Sequence, residues 1–162
     1  MKVVKKQRNA RSCIICGMDN PASVKGMFYE MENGELRGLF RFGDQHQSYP
    51  GRVHGGVISA MLDELIGRAI WIPEPDSNGV TMTLTIKYRR VVPINTNLRG
   101  VGRITQNSAR GFSGVGEIYD MDGNLLAWAE GTYRKLSVAM IGDFEAHEEM
   151  RYLIEDDVVE IE

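Results

Sequence analysis

From Val80 to Val92 apolar and polar residues alternate. Met82, Leu84, Ile86 and Tyr88 fall on one face of an extended chain, and Thr81, Thr83, Thr85 and Lys87 on the other. A period of two marks a strand covered on one side. Segments 24–31, 35–42, 97–107, 112–120 and 125–138 also read as strands. Asn33-Gly34, the stretch Ala109-Arg110-Gly111 and Asp122-Gly123 supply the tight turns, because such residues tolerate positive φ. Six strands joined mostly as hairpins predict a largely antiparallel sheet.

One segment breaks the pattern. From His54-Gly55-Gly56 to about Trp71 the apolar residues recur at helical spacing and spread over more than one stripe: Val57, Ile58, Ala60, Met61, Leu62, Leu65, Ile66, Ala69, Ile70 and Trp71. Pro73 and Pro75 end the helix. A helix that is apolar on nearly all sides is buried. The expected fold class is therefore α+β, with a long central helix wrapped by a curved, mainly antiparallel six-stranded sheet. Three regions follow: a basic segment 1–23 with a Cys-x-x-Cys turn, the folded domain 24–140, and an acidic, partly helical tail 141–162. A peripheral helix is expected from Asp143 to Leu153, and both charged ends are expected to be solvated and partly mobile.

Composition narrows the choice of partner. A length of 162 residues suits one domain, and 43% hydrophobic with 25% charged residues describes a globular chain. A net charge of -3 argues against a dedicated nucleic-acid binder, which needs clustered positive charge. No segment approaches the ~18 apolar residues that cross a bilayer, and no apolar stretch of a secretory leader follows the basic start. A cytoplasmic protein without membrane attachment is expected. Two cysteines are too few for a disulfide scaffold. A structural zinc takes four ligands, and besides Cys13 and Cys16 only His46, His54 and His147 offer themselves. The pair thus reads as a turn with two packed thiols, and neither metal nor cofactor is expected.

Two carboxylates stand out within the apolar helix, where an unpartnered charge costs several kcal/mol, roughly. Glu64 has Arg68 four residues on, the favourable orientation for a surface ion pair. Asp63 has only Ile66 and Gly67 at those positions. It is either a working carboxylate or one that reaches solvent or bonds a neighbouring strand. Gly55 and Gly56 open the helix start to close approach, and the free amides there suit a developing oxyanion; they also suit a plain tight loop. Ser59 reads as a packing residue. No nucleophile elbow, phosphate loop or His-Glu-x-x-His is present.

The stretch Gln47-Ser48-Tyr49-Pro50-Gly51-Arg52-Val53-His54-Gly55-Gly56, continuing through Asp63-Glu64, resembles the signature region of hot-dog thioesterases of the phenylacetate-degradation type. Ile86-Lys87-Tyr88-Arg89-Arg90-Val91-Val92-Pro93 is similar to the family's strand after the helix. Cys13-Ile14-Ile15-Cys16-Gly17 with Asn20-Pro21 is similar to the N-terminus of one branch. The resemblance spans about residues 12 to 138 and implies a hot-dog fold and acyl-CoA thioester hydrolysis. By resemblance Gly55 polarises the thioester carbonyl through its N–H, Asp63 is general base or nucleophile, and His54 shapes the loop or bonds near the site. Family members often carry Asn or Gln six residues before the His; here Ser48 stands there, with Gln47 beside it. Thr81 falls where some relatives orient water, and Thr83 is its neighbour. Gly56, Arg89 and Arg90 complete the substrate-binding candidates, the arginines for the CoA phosphates. Tyr49, Met61, Leu65 and Trp71 line the acyl pocket or simply pack the core.

Eight residues of helix separate Gly55 from Asp63, about 12 Å at ~1.5 Å per residue. Both must lie within roughly 3–3.5 Å of one reacting carbon. The expected site therefore pairs Gly55 of one chain with Asp63 of another in a homodimer, with a dimer of dimers as a further arrangement. Two other functions fit the fold: a dehydratase or hydratase of hydroxyacyl thioesters using His46 with Asp63, and a non-catalytic acyl-CoA sensor.

Overall fold

In a computed structural model covering Met1–Glu162, a fifteen-residue helix, α1 (Gly55–Ala69), lies across one face of a single sheet. The strands are β1 (Val3–Lys6), β2 (Met27–Met31), β3 (Leu36–Arg41), β4 (Gly79–Tyr88), β5 (Asn97–Asn107), β6 (Gly111–Asp120) and β7 (Leu125–Lys135). All neighbours pair antiparallel in the order β1-β2-β3-β5-β6-β7-β4. The helix reaches every strand from β3 to β7. The sheet has seven strands where six were expected, because the chain start adds one.

The sheet bends closely around α1 where its side chains are missing. Gly100 and Gly102 on β5 face Gly38 and Leu36 on β3, and Gly114 and Gly116 on β6 face Gly131 and Ala129 on β7. At Gly102 a Cβ would collide with the Leu65 carbonyl, so helix backbone rests on strand backbone there. Met61, Leu62, Leu65, Ile66 and Ile70 fill the space on either side and are wholly buried, together with Phe28, Leu36 and Ile118. The helix is not covered all round, however. Val57, Ser59, Ala60, Asp63 and Gly67 remain partly exposed along one stripe.

That stripe runs beside β4, the outermost strand. A register shift between Thr81 and Thr83 sets Thr81 opposite Tyr133, Thr83 opposite Thr132 and Leu84 opposite Gly131. This bulge overturns half of the expected alternation. Leu84 and Ile86 pack against the core, but Met82 is 61% exposed and Thr81 takes the helix-facing position. The strand also ends earlier than expected. Arg89 and Arg90 both donate their backbone N–H to the Leu126 carbonyl, at 2.9 and 3.0 Å.

The ends are solvated, as expected, since most of their residues are exposed, but their backbones pair into the sheet. β1 pairs with β2, and the tail pairs with β1 in turn: Val3 N–H donates to Val159 at 2.9 Å, and Ile161 is buried against Tyr29 and Met31. Asp156 accepts from Tyr29 Oη at 2.7 Å and pairs with Lys6. Of the expected helix over Asp143–Leu153 only one turn forms, α3 (Ala146–Glu149); another single turn, α2 (Val138–Ile141), precedes the expected span. Helix α3 goes no further because Tyr152 and Asn9 exchange backbone hydrogen bonds at 2.7 and 3.2 Å.

Residues 7–26 cover the far side of α1, and this changes the Glu64–Arg68 pair. Arg68 is an interior residue, its side chain 3% exposed, and not part of a surface pair. Its Nε donates to Glu64 at 2.6 Å, one Nη to the Gln7 side chain and the Arg8 carbonyl, and the other to Cys16 Sγ. The guanidinium lies 4.4 Å from the Phe28 ring centre. A buried guanidinium needs such complete pairing, since its charge has left water.

Candidate active site

The start of α1 is set by His54. Its backbone is extended, and its Nδ1 accepts the Gly56 N–H at 2.8 Å, so the imidazole caps the helix. This cap engages Gly56 and leaves the Gly55 N–H without a partner in the chain. An open amide at the positive end of a fifteen-residue helix suits a carbonyl oxygen that gains charge. The Gly55 carbonyl accepts from Ser59 Oγ at 2.8 Å and from Tyr88 Oη at 3.0 Å, and the two hydroxyls are 2.6 Å apart. Tyr88 thereby ties the first helical turn to the end of β4. Ser59, read as packing, is part of this lock.

Two turns on, Asp63 meets the strands. Its Oδ1 accepts from Thr81 Oγ1 and from Tyr133 Oη, each at 2.8 Å. Both donors come from register partners, Thr81 on β4 and Tyr133 on β7, so the bulge aims them at one oxygen. Oδ2 accepts no hydrogen bond and the residue is half exposed. Tyr133 is buried and stacked on Phe112 with ring centres 4.8 Å apart. Burial, reinforced by the charge of Asp63, pushes its phenol well above the ordinary tyrosine range, so it stays a donor. One carboxylate oxygen is anchored and the other has no donor within the chain.

The remaining candidates are more dispersed. Thr83 pairs with Thr132 across the strands at 2.6 Å and does not reach Asp63. Gln47 accepts the Gly51 N–H at 3.2 Å, and Ser48 donates its backbone N–H to the Arg52 carbonyl at 2.8 Å, so both shape the loop before α1. Arg89 and Arg90 are exposed and enter no ion pair. Met61 and Leu65 belong to the core, and Trp71 Nε1 is held by the Ser77 carbonyl at 2.7 Å. His46 is buried with Nδ1 accepting from Gly43 at 2.9 Å and Nε2 2.7 Å from the Ala22 carbonyl. With both ring nitrogens engaged it has none left for a dehydratase pair with Asp63.

Tyr133 and Tyr88 were not singled out from the sequence. Tyr133 sits in an alternating strand like any core aromatic, and only the pairing of β4 with β7 brings its hydroxyl to Asp63. Two surface concavities, one beside Gln106–Phe112 and one beside Leu39–Arg41, involve neither Gly55 nor Asp63. Within one chain the open amide and the anchored carboxylate share the exposed stripe of α1.

A curved antiparallel sheet around a single helix, with the open amide and the carboxylate on that helix, defines a hot-dog protein. Residues 50–127 match the thioesterase superfamily model, and solved proteins of that superfamily share the fold of this chain. The solved structure of the superfamily protein RHA08564 is 27% identical, covers 76% of this chain and 63% of its own, and has a TM-score of 0.69. A phenylacetic acid degradation-related protein of Ralstonia eutropha JMP134 is 25% identical over 68% of this chain and 85% of its own, TM-score 0.61. The BH2602 protein of Bacillus halodurans, solved with CoA, is 26% identical over 67% and 72%, TM-score 0.60. Among curated proteins, a mitochondrial protein of Candida albicans (strain WO-1) is 34% identical over 67 residues, 41% of this chain. MIOREX complex component 3 of Saccharomyces cerevisiae is 28% identical over 72 residues, 44% of this chain. The matched region spans 30% and 27% of these two relatives. The Candida relative is mitochondrial by name, which overturns the expectation of a cytoplasmic protein. That expectation rested only on missing signals. No helix is long and apolar enough to cross a membrane.

Proposed function

We propose that this chain hydrolyses acyl-CoA thioesters in a site built by two copies. The observation that carries this reading is Asp63, held through Oδ1 by two hydroxyls while Oδ2 stays free on an open helix face. A carboxylate so oriented acts as general base toward water or as nucleophile toward the acyl carbon. The Gly55 N–H receives the charge that develops on the carbonyl oxygen. Since about 12 Å of helix separates the two groups, the second copy's Asp63 completes each site, and a two-fold axis along the exposed stripe gives two equivalent sites. Arg89 and Arg90, unpaired at the end of β4, suit the phosphates of CoA. The CoA in the Bacillus halodurans structure supports this choice of leaving group.

The test is free-thiol release from short, medium, long and aromatic acyl-CoAs, with Asp63→Asn beside the parent chain. The expected outcome is turnover on part of the panel that falls by about 10²–10⁴-fold in the variant while the dimer persists. Unchanged turnover in the variant overturns the site assignment. Tight acyl-CoA binding without turnover moves the chain to the sensor reading.

A further inference from the structure

On the side of α1 away from the open stripe, three metal-ligating groups converge. The Sγ atoms of Cys13 and Cys16 and a carboxylate oxygen of Glu64 lie within 4.8 Å of one another, with Cys13 Sγ 3.8 Å from Glu64 Oε2. We propose that Cys13, Cys16 and Glu64 bind one zinc ion, with water as the fourth ligand. Tetrahedral zinc with thiolate and carboxylate ligands sets neighbouring donors about 3.5–3.8 Å apart, so closing the triad needs side-chain movement of an ångström or so.

The turn is shaped for this by its backbone. Gly17 N–H donates to the Cys13 carbonyl at 2.8 Å, and a Cβ on Gly17 would collide with that carbonyl. Asn9 Nδ2 holds the Cys16 carbonyl at 2.9 Å. Both sulfurs already accept N–H bonds, Cys13 from Ile15 at 3.3 Å and Cys16 from Arg68 Nη at 2.8 Å, as thiolate ligands do. The charges also close. Two thiolates and one carboxylate offset a divalent ion and the buried guanidinium of Arg68. Two soft sulfurs select zinc over magnesium or calcium, which take oxygen. Cys16 is buried, whereas Cys13 and Glu64 are half-buried, which opens the fourth position toward solvent. The motif alone could not show this, because the third ligand is a helix carboxylate 48 residues beyond Cys16 that reads as the partner of Arg68.

The proposal is independent of the thioesterase reading and is tested by metal content. The full chain, purified under reducing conditions, stripped with a chelator and titrated with cobalt(II), is expected to show a thiolate-to-cobalt charge-transfer band saturating at one equivalent per chain. Zinc should displace the cobalt. Cys13→Ser and Cys16→Ser should each lose the stoichiometric band, and Glu64→Gln should keep a weakened one. Cys13→Ser is the control for folding, since that residue is half-buried and circular dichroism reports its fold. A folded, reduced parent chain without a band, or a band that survives Cys13→Ser, overturns the proposal. So does a chain that carries a Cys13–Cys16 disulfide and no metal as purified.

Discussion

Asp63 is positioned by two residues of different kinds, and their removal separates holding a carboxylate from being one. Tyr133→Phe deletes one donor to Oδ1 and leaves the ring stacked on Phe112. A hydrogen bond to a charged group contributes about 1.5–3 kcal/mol, so kcat of the proposed hydrolysis should fall about 10- to 100-fold with little change in KM. Thr81→Val removes the other donor. Because both act on one oxygen, the double variant should lose less than the product of the two single losses, which steady-state kinetics on the three variants would show. At this scale the sequence was informative about Asp63 and silent about what holds it. Asp63 could be found because a carboxylate without an i+3 or i+4 partner in an apolar helix is anomalous. Thr81 came to attention by resemblance, and strict alternation would have turned it away from the helix. A bulge leaves no clear mark in Val-Thr-Met-Thr-Leu, so Met82 was given the inward place that Thr81 occupies.

Elements were legible where period and punctuation agreed. The helix from 54 to 71 and the six strands after Gly26 follow from the patterns, because Gly55-Gly56, Asn33-Gly34, Asp122-Gly123 and the two prolines mark their limits. What no pattern contained was how closely helix and sheet approach. Gly102→Ala should cost about 1–3 kcal/mol or more, because a methyl group there must displace the Leu65 backbone; urea denaturation would measure it. The start of β3 carries a second, electrostatic constraint. Glu35 accepts from Arg37 at 2.6 Å and Arg103 at 2.7 Å. Burial works to raise its pKa, but hydrogen bonds from Asn33, Arg37 and Arg103 outweigh it and hold the carboxyl below the ordinary range. A depressed folded-state pKa stabilises the protein above the unfolded value, near 4.3, and that contribution disappears as pH falls through the folded value. Glu35→Gln should therefore be less stable than the parent at pH 7, and the gap should narrow below about pH 4. Urea midpoints across that range decide it.

At the scale of the whole molecule α1 keeps one partly exposed stripe, and the strand beside it is an edge. Met82 and Tyr88, 61% and 53% exposed, stand on that strand in open view. Light scattering on the eluting protein should give the mass of two chains or a multiple of it. A strict monomer would leave Gly55 and Asp63 too far apart and would remove the basis of the proposed chemistry. At the charged ends the sequence showed the solvation and hid the backbone pairing. Lys2, Lys5 and Lys6 read as a solvated run, yet a β1 side chain turns outward at every second residue. The lysines can reach solvent or Asp156 while the backbone joins the sheet. Neither end announces this alone, since each needs the other across some 150 residues.

The pairing of residues 1–3 with 159–161 has a consequence for how large an assembly can grow. A sheet with two bare margins can recruit copies on both sides and lengthen without limit. Here the chain's own terminus covers the outer margin of β1, and only the β4 margin is left to recruit. Two molecules that meet there by a two-fold axis occupy each other's only vacancy, so sheet growth terminates at the pair. Deleting residues 158–162 would reopen the second margin, and higher-order, concentration-dependent association in sedimentation velocity is the expected result.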